Sequence, residues 1–384
     1  MDKSLRLNFA LRMLDRNVLL LLVIAWCLIP QGVSAKEAIH IAIVSSETGD
    51  LAEIGKDMSR GAVLAFDEAN EAAALKDKEI VYHMFDDQGD PKVAVNVAQR
   101  VLLDKRIVGI VGHLTSGCMS AAAPVYAKAG IPVVMPVPTN PEITSHGYRN
   151  LFRVPPTDKD QAPFLAKYLL EHHSKAPTAI VNDLTAYGVG FAGSFKDTFV
   201  KGGGNLVAFE GIQKGVRDFR TLIAKLKSLK PQFVVVGATY DMGAPFVRQM
   251  RQLGLTATVL GGDGMYGSEF LKQAGDSAEG TILSFIAPDR GSASKTDHFF
   301  LRFERRYGKV VSFAPLGYDA GQVLIAAVAK SNRVDRGALV RTIRSQDFEV
   351  EGVTGKIQFT ENGDNKNKNL SLYIVRHGKY QLLK

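Results

Sequence analysis

Cysteine and tryptophan are scarce in this 384-residue chain, which contains two cysteines and a single tryptophan. Cys27 lies in an apolar stretch near the N-terminus, and Cys118 lies in the body of the chain. If the N-terminal stretch is removed on export, Cys118 has no partner, so an intrachain disulfide cannot form even in an oxidising compartment. We expect Cys118 to be a small buried residue rather than a reactive thiol.

Motifs of catalysis and of metal binding are also missing, because GxSxG, HExxH and CxxC do not occur. The eight histidines are scattered, and His172 and His173 would point to different faces of a helix. Asp86, Asp87 and Asp90 offer too few ligands for calcium and fit the end of a strand followed by a helix cap. The sequence therefore predicts no enzyme, no cofactor and no metal site.

Basic runs and aromatic–basic stripes are absent too, although the formal net charge is +8. Residues 1–35 carry four basic and two acidic side chains, so their removal would lower the net charge to +6. A mildly basic surface without a concentrated patch argues against a nucleic-acid partner. We expect a monomer that binds a small molecule.

The N-terminus has the pattern of an export signal. Four basic residues precede the apolar run 18–29, and Val33-Ser34-Ala35 then supplies small residues at the expected cleavage positions. A run of twelve residues is too short to cross a bilayer, which needs roughly 20. The bulky Trp26 before Cys27 argues against lipid attachment. We predict a signal peptide over residues 1–35, cleaved after Ala35, and a periplasmic mature protein.

From Ile39 onward, short β-branched runs alternate with helical stretches, which is typical of parallel sheets with crossover helices. The predicted strands are Ile39–Val44, Glu79–Phe85, Ile107–Val111, Pro132–Met135, Ala179–Val181, Leu206–Phe209, Phe233–Val236, Thr258–Leu260 and Thr281–Phe285. Nine strands exceed one typical sheet. The consecutive prolines of segment 153–156 predict a crossing to a second sheet, and a return is expected near residues 287–289. The fold class is therefore α/β.

One glycine motif resembles a dinucleotide-binding fingerprint. Gly188, Gly190 and Gly193 form GxGxxG after a predicted strand, and Glu210 follows at about the distance of a ribose-binding acid. A fingerprint places its glycines directly at the strand end, whereas residues 182–187 intervene here. We therefore expect glycines that let a helix start close to its strand, and no dinucleotide.

The most informative segments are the turns that follow predicted strands, because ligands of doubly wound sheets bind beyond the carboxyl ends of the strands. Leu114-Thr115-Ser116 places hydroxyls and free backbone N–H groups at a helix N-terminus, a natural seat for a carboxylate. Val137-Pro138-Thr139 follows the next strand. Simple helix capping is the alternative for these residues, since Ser and Thr are favoured caps.

In the second half of the chain, Asp263 follows its strand between glycines. Glycines on both sides would expose the carboxylate, which suits an ammonium partner, although a turn aspartate is the plainer interpretation. Tyr187 and Tyr318 lie at comparable strand edges and either wall a pocket or belong to the ordinary core.

The whole mature chain resembles the leucine/isoleucine/valine-type binding proteins of amino-acid ABC transporters, which have the type I periplasmic-binding fold. The matching stretches, in order, are Thr48-Gly49 through Gly61-Ala62-Val63-Leu64-Ala65, Asp86–Pro91, Gly112–Ser116, Pro136–Glu142, Gly147-Tyr148, Tyr187-Gly188, Gly261–Gly264 and Gly317–Ala320. The resemblance implies two doubly wound parallel-sheet lobes joined by a hinge. It places the first lobe at residues 36–157 plus 287–360 and the second at residues 158–286 plus 361–384.

The resemblance also implies roles for individual residues. Ser116 and Thr139 would bind a ligand carboxylate, while the carbonyl of Val137 and the side chain of Asp263 would hold an ammonium. The remaining implied contacts, around the ligand side chain and its binding loops, are Ile54, Leu114, Thr115, Pro138, Tyr187, Thr239 and Tyr318.

Three departures from the family pattern affect the expected ligand. Ile54 stands where tyrosine is frequent, Asp263 stands where glutamate is frequent, and Gly89 and Thr115 occupy the positions of a family disulfide. The expected function is capture of a branched-chain or related amino acid and its delivery to a transmembrane permease. The alternatives are a sensor for an amide, urea or aromatic amino-acid-like solute and, more distantly, a secreted α/β enzyme.

Overall fold

Two β-sheets organise the chain. The computed structural model describes residues 36–288, 290–291 and 293–383, so the predicted signal peptide lies outside the described residues. Both sheets belong to one compact unit that begins at Ala38. Among the described helices, none is both long enough and apolar enough to span a membrane.

The first sheet has five strands in the order β2-β1-β3-β4-β5. Its strands are β1 (Glu37–Ser45), β2 (Lys78–Asp86), β3 (Ile107–Gly112), β4 (Val133–Met135) and β5 (Leu151–Arg153). Strand β3 pairs with β1 and β4 in parallel, and β4 pairs with β5 in parallel. Strand order therefore reverses between β1 and β3, which is where a doubly wound sheet opens a crevice at its carboxyl edge.

The second sheet has seven strands in the order β14-β13-β10-β9-β8-β6-β7. These are β6 (Thr178–Asn182), β7 (Leu206–Gly211), β8 (Phe233–Gly237), β9 (Thr258–Gly261), β10 (Ile282–Phe285), β13 (Ser371–Arg376) and β14 (Lys379–Leu382). The strands from β7 to β10 are parallel, and β13 and β14 close the edge as an antiparallel pair. A separate pair, β11 (Val350–Glu351) and β12 (Lys356–Ile357), is antiparallel.

Twelve α-helices connect the described strands and cover the sheets. They are α1 (Ala52–Glu71), α2 (Pro91–Leu103), α3 (Ser116–Ala129), α4 (Glu142–Ser145), α5 (Asp158–His173), α6 (Ala186–Lys201), α7 (Arg220–Leu229), α8 (Tyr240–Gln252), α9 (Ser268–Ala274), α10 (Ser294–Tyr307), α11 (Ala314–Lys330) and α12 (Arg336–Ile343). Helix α11 packs along α1, and α12 packs against α11 and β3. The chain after residue 293 thus returns to the five-stranded sheet before β13 joins the seven-stranded one.

Helix α2 illustrates how local sequence sets an element. Asp90 caps it by accepting hydrogen bonds from the backbone N–H of Lys92 and Val93, and Pro91 occupies the first position. Val97 and Val101, one helical turn apart, are buried against the sheet. The three aspartates near this helix act locally, because Asp86 and Asp87 accept hydrogen bonds at the end of β2.

All nine predicted strands are present, with ends that differ by at most two residues. Strand β5 was missed because it is three residues long and runs directly into the prolines of the crossing. The crossing segments are tied together: Arg153 Nε donates to Asp364 Oδ1 at 2.8 Å, and Asn365 Nδ2 donates to the carbonyl of Val154 at 2.8 Å. Asp289, in the expected return crossing, lies outside the described residues.

The GxGxxG motif lies inside α6 rather than at the end of β6. A Cβ at Gly188 would come within 2.1 Å of Asp183 Oδ1 and 2.4 Å of the carbonyl of Gly237. Glycine is therefore required for α6 to begin close to the sheet, as expected. This placement differs from a dinucleotide fingerprint, whose glycines form the turn between strand and helix.

Candidate functional site

A cavity lies between the carboxyl edges of the two sheets, and the structure brings ten of the eleven predicted site residues to its wall. Its free volume is about 320 Å³, part of it open to solvent. The lining residues are Leu51, Ile54, Leu114, Thr115, Ser116, Val137, Pro138, Thr139, Tyr187, Thr239, Asp263, Gly264 and Phe313. The turns after β3, β4, β6, β8 and β9 all contribute, as the crevice rule for doubly wound sheets requires.

Tyr318 is the predicted residue that the structure does not bring to the cavity. It lies on α11, where its hydroxyl donates to Glu68 Oε2 at 2.7 Å and its ring packs edge-on against Phe299. Helix α11 presents this side chain to α1 and α10, away from the cleft. Phe313, five residues earlier at the start of α11, reaches the cavity instead. We therefore leave Tyr318 out of the proposed ligand contacts.

At the start of α3, helix capping explains one hydroxyl but not the next. Thr115 Oγ1 caps the helix by accepting from the backbone N–H of Cys118 at 3.2 Å. Ser116 Oγ instead accepts from the backbone N–H of Asn140 at 3.3 Å, which leaves its own proton free to donate into the cavity. The first-turn N–H groups of α3 add positive potential at the same place.

Two hydrogen bonds to backbone carbonyls hold the turn that carries Thr139. The guanidinium of Arg153 donates to the carbonyl of Pro138 at 2.7 Å, and the backbone N–H of Asp158 donates to the carbonyl of Thr139 at 2.9 Å. Thr139 itself is buried in the cavity wall. The hydroxyls of Thr139 and Ser116 therefore belong to a preorganised wall rather than to mobile loops.

Asp263 supplies the one carboxylate in this lining, from the turn after β9. Its side chain is buried, and the hydroxyl of Tyr187 donates to Oδ1 at 3.1 Å. The same hydroxyl accepts from the backbone N–H of Gly264 at 3.1 Å. Burial raises the pKa of Asp263 to about 6, against the lowering effect of the Tyr187 hydrogen bond.

The glycines beside Asp263 have a different role from the expected one. A Cβ at Gly262 would lie 2.5 Å from the Tyr187 hydroxyl, and a Cβ at Gly264 would lie 2.6 Å from the Tyr187 ring. The glycines therefore make room for Tyr187 to pack against this turn. Asp263 is only 3% exposed, so they do not leave the carboxylate open to solvent.

Sequence reasoning missed three lining residues: Leu51, Gly264 and Phe313. Leu51 precedes Ile54 by three positions, so the helical period of α1 was a usable indication of their shared face. Gly264 follows Asp263 directly. Phe313 lies between α10 and α11, in the segment that returns to the five-stranded sheet. Nothing in its local sequence indicates that it is close to the cleft.

At the outer edge of the cleft, three side chains link the lobes. Arg217 donates to Asp50 Oδ2 at 2.9 Å, and the Tyr240 hydroxyl donates to the carbonyl of Asp50 at 2.8 Å. Lys214 Nζ donates to the carbonyl of Gly89 at 3.1 Å. Asp50 and Gly89 follow strands of the five-stranded sheet, whereas the donors belong to the chain of the seven-stranded sheet. These contacts hold the lobes together outside the cavity.

The comparisons with known proteins agree with this architecture. Residues 38–379 match the family model described as periplasmic binding protein. A leucine-, isoleucine-, valine-, threonine- and alanine-binding protein of Pseudomonas aeruginosa is 32% identical over 88% of this chain and 90% of its own length. A Leu/Ile/Val-binding protein of Rhizobium johnstonii is 33% identical over 89% of this chain and 92% of its own length.

Solved structures show the same fold. A leucine-binding protein of Thermotoga maritima superposes with a TM-score of 0.84 at 26% identity, covering 90% of this chain and 98% of that one. A branched-chain amino acid transporter substrate-binding protein of Streptococcus pneumoniae, in complex with isoleucine, gives 0.83 at 25% identity, covering 90% and 99%. With its two-sheet fold and interlobe cavity, this chain belongs to the periplasmic binding protein family, among the leucine/isoleucine/valine-type binding proteins.

Proposed function

We propose that this protein is an extracytoplasmic solute-binding protein that captures an L-amino acid, branched-chain or related, between its lobes and delivers it to the permease of an ABC transporter. The observation that carries this proposal is the arrangement of polar groups around one cavity, with neutral hydroxyls and a carboxylate on opposite sides. Ser116 and Thr139 offer hydroxyls on one side, and Asp263 offers a carboxylate on the other. This arrangement complements a zwitterion. The binding activities named for the relatives point to the same ligand class.

In the proposed complex, the ligand carboxylate accepts hydrogen bonds from Ser116 and Thr139 and from N–H groups at the start of α3. Its ammonium pairs with Asp263 and with the carbonyl of Val137. The ligand side chain meets the apolar part of the wall, which is formed by Leu51, Ile54, Leu114 and Phe313. Burial of an aliphatic side chain there contributes about 0.8 kcal/mol for each methylene group removed from water.

The proposed mechanism is a hinged clamp with lobes at residues 36–157 plus 287–360 and 158–286 plus 361–384. The strand memberships of the two sheets support these limits. A ligand that binds first to the lobe containing Ser116 would favour closure, because the closed lobes add Asp263 and Tyr187 to its contacts. A ligand that gained no affinity from those contacts would leave the populations of the open and closed conformations unchanged.

The proposed location is the periplasm, after cleavage behind Ala35. Trp26 is the single tryptophan and lies in the predicted signal peptide. Exported protein should therefore begin at Lys36 by intact mass and should show tyrosine emission without a tryptophan component. Recovery of Trp26 in the exported material would refute the cleavage site.

The binding function is tested with mature protein that has been freed of ligand by unfolding and refolding. We expect thermal-shift screening of the twenty L-amino acids to identify leucine, isoleucine, valine or a close relative. A ligand present at 100 times its Kd should stabilise the protein by about 2.7 kcal/mol. The D-enantiomers are the control, because they cannot present carboxylate, ammonium and side chain to the same three walls. A protein stabilised by no L-amino acid, or equally by both enantiomers, would contradict the proposal.

A further inference from the structure

A second buried carboxyl group lies beside Asp263 and takes no part in the binding scheme above. Asp158, the first residue of α5, is fully buried, and within the described part of the chain neither carboxylate oxygen has a hydrogen-bond partner at normal geometry, although the Thr139 hydroxyl lies near enough to lower the pKa of Asp158. The neighbouring Gln161 also has an unpartnered buried oxygen. An unsatisfied, ionised carboxylate in such a place would be costly.

Arg153, whose charge lowers the pKa of Asp158, is already engaged. Arg153 donates to Asp364 Oδ1 at 2.8 Å, to the carbonyl of Pro138 at 2.7 Å and to Thr144 Oγ1 at 3.0 Å. Its positive charge is therefore already paired with Asp364 and offsets the negative charge of Asp158 only in part. The cluster therefore has more buried acid than compensating cation.

The other ionisable groups around the pair do not supply the missing charge. On α5, Asp160 adds negative charge and is itself paired with Lys368 at 2.9 Å. From α6, Tyr187 contacts Asp263, and the burial of Tyr187 together with the two carboxyls raises the pKa of its own hydroxyl, so it stays neutral. The remaining polar neighbours carry no charge: the Thr139 hydroxyl lowers the pKa of Asp158 and the Gln161 amide lowers the pKa of Asp263, but in both carboxyls burial outweighs these effects.

We infer that Asp158 and Asp263 retain a proton between them in the ligand-free protein, and that the ammonium group of a bound amino acid displaces this proton into solvent. This inference rests on the proposed function, since it needs a cationic group at Asp263. It adds a proton to the binding equilibrium: the amino acid enters, both carboxyls become ionised, and one H⁺ leaves. Asp158 is a positioning residue in this scheme, because it acts through its effect on Asp263.

The sign of the pH dependence follows from the ligand-free state. Burial, and then the charge of Asp263, raise the pKa of Asp158 well above its usual value, and burial raises the pKa of Asp263 to about 6. A nearby ammonium favours the ionised carboxylates and lowers both pKa values. Protons therefore compete with the amino acid, and affinity increases with pH until both carboxyls are ionised in the ligand-free protein: as Asp263 loses its proton near pH 6, and as Asp158, whose pKa is raised well above its usual value, loses its own. Release of one proton changes Kd by up to about tenfold per pH unit.

Infrared spectroscopy tests whether Asp158 is protonated without relying on affinity. Ligand-free protein at pH 7 should show the C=O band of a protonated buried carboxyl. Because the pKa of Asp319 is also raised to about 6 by burial, assignment requires the Asp158→Asn variant, in which the band should weaken. Asp183→Asn is the matched control, since burial raises the pKa of Asp183 but this residue does not line the cavity. An unchanged band in Asp158→Asn would overturn the inference.

Calorimetry then counts the protons. The L-amino acid that gives the largest thermal shift among leucine, isoleucine and valine is titrated at pH 6 and 7 in buffers of different ionisation enthalpy. We expect release of up to one proton per ligand in the wild type and in Asp183→Asn, and a smaller release in Asp158→Asn. If the wild type binds the amino acid without releasing a proton, the inference fails and the proposed function stands. If no amino acid binds, the proposed function fails, and the infrared measurement still decides whether Asp158 is protonated.

Discussion

The two lobes share one topology but carry opposite chemistry. In the first sheet the order β2-β1-β3-β4-β5 reverses between β1 and β3, and in the second the order β7-β6-β8-β9-β10 reverses between β6 and β8. In each sheet the turns beyond these strands face the same cavity. The repeated architecture thus brings two sets of turns together, and their residues decide what each lobe can recognise.

The equivalent turns after β4 and β9 show the difference most clearly. After β4 the chain presents Thr139, whose neutral hydroxyl suits an anionic group. After β9 it presents Asp263, whose carboxylate suits a cationic group. The first lobe also supplies most of the apolar wall, including Ile54 and Leu114. In the proposed complex the first lobe therefore binds the ligand carboxylate and side chain, whereas the second lobe supplies the charge that pairs with the ammonium.

The largest expected effect comes from removing that charge. Asp263→Asn preserves shape but leaves the ligand ammonium without its buried partner, which typically costs about 2–5 kcal/mol. This corresponds to a loss of roughly 30- to several-thousand-fold in affinity. Calorimetry should show all bound amino acids weakened together, with their ranking unchanged. Asp263→Glu is the control, because it retains the charge and should lose less. Equal affinities of Asp263→Asn and the wild type would show that the second lobe does not hold a cation.

A smaller effect is expected from the matching change in the first lobe. Ser116→Ala removes one hydrogen bond to the ligand carboxylate, worth about 1.5–3 kcal/mol for a charged acceptor. Thr115→Ala is the contrasting variant, because Thr115 caps α3 and its loss should lower the free energy of unfolding by about 1 kcal/mol. Thermal unfolding and calorimetry together separate the two. If both variants lose stability and neither loses affinity, Ser116 is also a structural residue.

Much of the fold was predictable because buried parallel strands are apolar runs with polar turns at their ends. Strand β5 escaped detection because three residues give no periodicity. Strand β14 escaped because its place at the sheet edge leaves polar residues such as Lys379 and Gln381 exposed. Strand β13 was overlooked although residues 372–375 are an apolar, largely buried run.

The cavity lining was predictable where the proposed ligand contacts come soon after strands, as Ser116, Thr139 and Asp263 do. It was not predictable where tertiary structure brings in a distant segment. Phe313 lies in the segment that follows the return crossing, far in sequence from the other lining residues. Asp158 lies at the start of a helix between the two residues of a capping box, so its local sequence indicates a helix N-terminus and not a place beside the cavity. Tyr318 was misplaced because sequence spacing along α11 does not reveal which face meets the cleft.

The smallest expected effect is at the rim, where Arg217 joins the lobes through Asp50. Both side chains are substantially exposed, so the ion pair should contribute about 0.2–1 kcal/mol to closure. Arg217→Gln should therefore weaken every amino acid equally, by at most about fivefold, mainly through faster dissociation. The loss should shrink at high salt, because exposed charges are screened. Arg220→Gln is a close control, since Arg220 pairs with Asp218 in its own lobe. Stopped-flow dissociation at two ionic strengths makes the measurement. If Arg217→Gln changes the ranking of ligands, the rim takes part in selectivity, and the division between a recognising cavity and a closing rim is wrong.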